Sequence, residues 1–187
     1  MSNRHSQTRL ESMRIAFCGM IVALSVVLML TSSLIPVMTY AAPLMCGLLL
    51  TPVQLEFNRS SAFVTFGATA LLILILGFDK ELAFFYIFFG YYPLIKWRID
   101  RLPRKGIRVL LKLLVFSLSL TLMYLFLTYV LRVTAVIADF QEMGRIMTVL
   151  FFLAMLVCLM LYDRLLTPLT IIYVTRWQPK LRKLMKR

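Results

Sequence analysis

Residues 15–35 read IAFCGMIVALSVVLMLTSSLI, without a single charged side chain. A helix rises ~1.5 Å per residue, so a run of this length reaches across the ~30 Å hydrocarbon core of a bilayer. Arg4, Arg9 and Arg14 precede the run, Pro36 stops it, and Ala41 and Ala42 follow. This order mimics a secretory signal, but the apolar part of a signal peptide covers only ~7–15 residues. The run therefore reads as an uncleaved first membrane helix.

The rest of the chain repeats the pattern. Hydrophobic residues make up 61% of its 187 positions, against ~45–50% for a soluble domain. Further apolar spans cover approximately residues 41–55, 62–77, 81–95, 107–131 and 146–174. Charged residues collect between them, as expected where the bilayer core penalises charge by a few kcal/mol per residue. The fold class expected is an all-α integral membrane protein: a six-helix bundle forming one membrane domain over residues 1–187, with tails at 1–13 and 176–187.

Two features strain this scheme. The second to fourth spans are short, so they thin the bilayer, use uncharged loops, or pair as a re-entrant hairpin that leaves four crossings. The last span is long. It contains Pro168 and runs past Asp163 and Arg164, either as one helix ending near Arg176 or as a span ending near Asp163 with an interfacial helix behind it. In both cases Asp163 and Arg164 are expected to snorkel or pair.

The net charge of +13 invites a nucleic-acid reading, but the cations lie in short segments beside apolar spans. There they touch anionic headgroups and set orientation. Of the 21 Lys and Arg, all but Lys80, Arg132 and Arg145 fall on one set of alternating segments. Six crossings with both termini in the cytoplasm of a cell membrane explain that asymmetry; five or seven leave one basic terminus outside. The densest segment, from Lys96 to Lys112, either docks an acidic partner surface or holds the topology.

Catalytic chemistry is sparse. His5, in the tail, is the only histidine, which removes a histidine proton relay, a Ser–His dyad and a histidine-rich metal site. No Gly-x-x-x-x-Gly-Lys-Ser/Thr loop is present to cradle ATP phosphates. Cys18, Cys46 and Cys158 lie within apolar spans and read as small hydrophobes. The chain is read as a non-enzyme with no intrinsic cofactor, no metal site and no nucleic-acid partner. Asp163 is the one acid in a span that suits an ion-driven carrier, so uphill transport would draw its energy from a partner.

Three constellations remain. Ala16, Gly19 and Ala23 share one face of the first helix, a small-residue stripe that allows close helix approach, either inside the chain's own bundle or against a partner. Ser61, Thr65 and Thr69 form a second stripe, suited to internal packing. The outer segments hold Thr39, Tyr40, Asp79, Glu81, Tyr86, Arg132, Asp139 and Glu142, alongside Lys80, Phe140, Gln141 and Arg145. These are the ligand-binding candidates, although polar loops need no ligand. Their charges nearly cancel, which disfavours a polyanion. Farther along, Gly90-Tyr91-Tyr92-Pro93 points to a kink or a close helix crossing, with Lys96 as an interfacial anchor.

The run Arg14-Ile15-Ala16-Phe17-Cys18-Gly19-Met20-Ile21-Val22-Ala23-Leu24 is followed by Ser33-Leu34-Ile35-Pro36, by Tyr40-x-x-Pro43 and by Gly90-Tyr91-Tyr92-Pro93-x-x-Lys96. Together with the length and topology, this set resembles the substrate-binding S components of energy-coupling factor importers, over most of the chain. The resemblance implies capture of a vitamin-like small molecule on the outer face. It also implies partnership, within the lipid bilayer, with a transmembrane coupling subunit and two ATP-binding-cassette ATPases. In that family the first helix meets the coupling subunit through an Ala-x-x-x-Ala pattern, and Gly19 and Ala23 occupy the matching places here, with Gly in place of the first Ala. The alternative is a non-transporting membrane assembly factor or accessory subunit.

Overall fold

The computed structural model describes residues 2–32, 38–77, 80–126 and 134–179, with side chains for 11–32, 38–77, 80–126, 147–176 and 178–179. Among these residues there are helices and turns and no strand. The helices are α1 (Ser2–Ser32), α2 (Met38–Glu56), α3 (Arg59–Leu76), α4 (Lys80–Phe89), α5 (Tyr92–Asp100), α6 (Lys105–Leu125) and α7 (Thr134–Ile172). A π-helical turn, Tyr173–Trp177, continues α7.

Among the described residues, five stretches are long and apolar enough to cross a membrane: Glu11–Ser32, Met38–Glu56, Arg59–Leu76, Lys105–Leu125 and Met147–Arg176. Large apolar side chains cover their outer surfaces, such as Ile75 (75% exposed), Leu110 (65%) and Val149 (63%). Water penalises such surfaces and hydrocarbon does not.

Helix ends differ from the hydropathy spans, for local reasons. The second helix starts at Met38 rather than near residue 41, which places Pro43 inside it instead of at its first turn, and Pro52 lies inside as well. Membrane helices tolerate interior proline because neighbouring groups satisfy the freed carbonyls. Asn58 separates α2 from α3: its side chain caps the new helix by accepting the Ser61 N–H at 2.8 Å. With these ends, α2 has 19 residues and α3 has 18, longer than their apolar runs suggested.

The fourth apolar span is not one helix. It breaks at Gly90 and Tyr91 into α4 and α5, of 10 and 9 residues. The Gly90 N–H closes α4 on the Tyr86 carbonyl at 2.7 Å, and the Leu94 N–H opens α5 on the Tyr91 carbonyl at 3.0 Å. Pro93 has no N–H to continue the earlier ladder. A Cβ on Gly90 would lie 2.6 Å from ring atoms of Tyr86, so only glycine fits against that ring.

The last helix is continuous through Asp163 and Pro168. Of the two arrangements considered for this stretch, the structure has the single long helix. Its 39 residues span about 58 Å at the α-helical rise, well beyond the thickness of a hydrocarbon core.

The chain forms two compact units, Met1–Leu94 with Leu166–Arg187, and Ile95–Leu165. In the first unit α1 packs on α2 and α3, α2 on α3 and α4, and α3 on α4. One core cluster joins Met29, Cys46, Ile73, Leu82, Ala83 and Tyr86, and another joins Ile21, Leu50, Val53, Ala62 and Leu94. The second small stripe faces this core, with Thr65 and Thr69 both buried. Their hydroxyls donate to the carbonyls of Ser61 and Thr65 at 2.8 and 2.9 Å, which hides a polar group among apolar neighbours. In the second unit, Tyr124 of α6 meets Phe152 of α7 edge-on, centroids 5.9 Å apart. Phe116 and Leu159 are fully buried there.

Candidate functional site

Four charged side chains of the second unit close into a ring. Lys96 and Asp100 stand one turn apart on α5, Lys112 lies on α6, and Asp163 lies on α7. The Lys96 ammonium reaches Asp163 Oδ1 at 2.5 Å and Asp100 Oδ2 at 3.4 Å. The Lys112 ammonium reaches Asp163 Oδ2 and Asp100 Oδ1, each at 2.7 Å. Lys96 also donates to the backbone carbonyl of Asp163 at 2.8 Å. Each lysine thus bridges both aspartates, and each aspartate is ion-paired with both lysines.

Burial gives this ring its weight. Lys96, Lys112 and Asp163 are only 7–9% exposed, and Asp100 is the member that solvent reaches, at 35%. Taking an isolated charge out of water costs several kcal/mol, and attraction offsets that only when every charge is paired in good geometry. Two cations alternating with two anions meet that condition with zero net charge. The ring joins α5, α6 and α7 through paired charges, three of its four members being buried. Asp163 pairs, as one of its two expected behaviours. Lys96 and Lys112 point into this ring, so neither belongs to the exposed surface that the basic segment presents.

The expected ligand cluster is brought together only in part. Tyr40 Oη donates to Glu81 Oε1 at 2.8 Å, linking the start of α2 to the start of α4. The Tyr40 ring also meets Phe85 edge-on at 5.4 Å. Thr39, beside Tyr40, is turned inward and 9% exposed. Tyr86 is fully buried in the core against Phe66, with centroids 5.1 Å apart. Its hydroxyl makes no hydrogen bond of normal geometry. Asp79 and Arg132 lie outside the described residues; Asp139 and Glu142 lie on α7, outside the described side chains.

The small stripe of α1 faces outward. Ala16, Gly19 and Ala23 are all exposed, and a Cβ at Gly19 would meet nothing within 4 Å. The helix packs into its own unit through a different face, with Ile21, Ser25, Val26 and Met29 buried. The three cysteines are free thiols, with Cys46 donating to the Ser25 carbonyl at 3.5 Å. Among the described residues, no cluster of His, Cys, Asp and Glu is arranged to hold a metal.

The class these observations define is an all-helical protein with several membrane-spanning candidates and a buried, neutral ion ring. No protein-family model, no curated protein and no solved structure matches the chain.

Proposed function

We propose that the chain is the substrate-binding subunit of an ATP-driven importer. In this reading it captures a vitamin-like small molecule on the outer face and passes it inward with a coupling subunit and two ATPases. The observation that carries the reading is the outward position of Ala16, Gly19 and Ala23. Small residues on a membrane helix allow close approach of another helix, and among the described residues these three stay exposed. The Tyr40–Glu81 bond supports it further, since it joins two ligand candidates from separate helices at one end of the first unit.

The topology proposed with it has six crossings and both termini in the cytoplasm. Among the described residues, five helices have the length and apolarity to cross by themselves, and in this proposal the broken pair α4–α5 makes the sixth crossing. An even number keeps nearly all of the Lys and Arg on one side of the membrane.

The test is a thermal-shift screen of the purified chain against B vitamins and related cofactors, run with co-purification of a coupling subunit and its ATPases. A ligand that raises the unfolding temperature, with Gly19→Leu or Ala23→Leu abolishing assembly while preserving that shift, supports the importer. No shift with any ligand and no association overturns it. The alternative, a non-transporting assembly factor, is favoured by the exposed cationic turn between α5 and α6; it predicts a bound partner without a small-molecule ligand.

A further inference from the structure

We propose that the α5–α6 turn is a binding site for anionic phospholipid headgroups, built from Arg98, Arg101, Arg104 and Lys105. All four side chains are exposed. The ion pairs of this segment join Lys96, Asp100, Lys112 and Asp163, and none of them involves these four cations.

The reason is the ring beneath them. Asp100 is the one acid in this segment, and both of its oxygens are held by Lys96 and Lys112. Its backbone carbonyl takes the Arg108 guanidinium, Nη1 at 3.4 Å. The ring is neutral and turned inward, so it leaves the turn's surface charge uncompensated. The backbone there is fixed: the Leu102 N–H bonds the Ile99 carbonyl at 3.2 Å, and Pro103 restricts the next φ.

The neighbourhood selects the anion. Immediately beyond the cations, α6 exposes Val109, Leu110 and Leu114, and α5 exposes Trp97. An exposed tryptophan beside apolar helix surface marks the level of the headgroups. With those apolar groups in the bilayer, the cations stand at the depth of the lipid phosphates, which reach them without any partner from the aqueous side. A phospholipid covers them with its acyl chains while its phosphate meets the guanidinium forks, which match phosphate oxygens two at a time.

The experiment uses the full chain in neutral detergent, titrated with phosphatidylglycerol or phosphatidylcholine and read by native mass spectrometry. The wild type should retain phosphatidylglycerol in preference to phosphatidylcholine. The variant Arg98→Gln/Arg101→Gln/Arg104→Gln/Lys105→Gln should retain it at least about tenfold less, given the attraction of each surface cation to anionic lipid. The single variants Arg98→Gln and Arg101→Gln, at exposed positions that leave the fold intact, should each show a smaller loss. A tail variant, Lys180→Gln/Arg182→Gln/Lys183→Gln, should lose markedly less than the turn variant. Equal retention of the two lipids overturns the proposal. So does unchanged retention in the turn variants, or an equal loss in the tail variant. Loss of an acidic partner protein with the lipid preference intact assigns the turn to that partner instead.

Discussion

The ammonium of Lys112 on α6 lies 2.7 Å from Asp163 Oδ2 on α7, and Lys96 on α5 holds the other oxygen of the same carboxylate. One buried acid therefore ties three helices together. Asp163→Asn leaves two buried ammoniums facing Asp100 alone. Breaking a buried ion network from one side costs about 3–5 kcal/mol. The expected result is a large drop in the unfolding midpoint in detergent, followed by tryptophan fluorescence or circular dichroism. An unchanged midpoint would rule out the three-helix staple.

Asp100 occupies the wetter end of the ring, with its side chain 35% exposed. Water partly replaces its charge when it is neutralised, so Asp100→Asn should lower the midpoint by less than half the Asp163→Asn effect. Replacing the whole ring, as Lys96→Met/Lys112→Met/Asp163→Leu/Asp100→Asn, should restore most of the stability, because a packed apolar substitute is often as stable as a buried ion network. The comparison requires only the ranking of three midpoints.

Glycine substitutions should separate the two units of close approach. At Gly90 an added methyl meets the Tyr86 ring and carbonyl at 2.6 Å, and the ring is fully buried. Gly90→Ala should cost about 1–3 kcal/mol, as overpacking does. At Gly19 the methyl meets nothing, and Gly19→Ala should be neutral or stabilise α1 by up to about 1 kcal/mol. Equal effects at the two sites would contradict the packing described.

Tyr86→Phe removes a buried hydroxyl that makes no hydrogen bond of normal geometry, while keeping the ring against Phe66. Stability should change by less than about 1 kcal/mol, since the hydroxyl's nearest polar neighbour, the Thr69 side chain, keeps its own bond to the Thr65 carbonyl. A markedly larger loss would show that the hydroxyl is engaged in the folded protein, by an internal water or by a bound ligand.

The helical class was legible because the bilayer writes it plainly: long uncharged runs, with cations between them. Helix ends were less legible, because hydropathy marks where apolar side chains stop and the backbone continues by its own rules. Asn58 shows this, since its capping bond to Ser61 begins α3 ahead of the apolar run. Gly90 and Pro93 announced a bend, and the structure has a full break there. The ion ring was the hardest to foresee. Lys96 resembled an interfacial anchor and Lys112 an ordinary basic-segment charge, and their shared partner lies on a distant helix. The available signal was that Lys112 and Asp163 each interrupt an apolar run, where an unpaired charge has no stable place. The outward stripe of α1 was visible as a pattern, but the side it faces depends on how α2 and α3 pack, which a helical period does not specify.

Ribosomal synthesis delivers Lys96, Asp100 and Lys112 before Asp163. Until α7 emerges, the two ammoniums have only the Asp100 carboxylate as a ring partner, and Asp163 then supplies the second anion that brings the ring to zero net charge. The ring is therefore complete only once α7 has been made, and a chain cut ahead of Asp163 should be digested by protease more readily than the full chain.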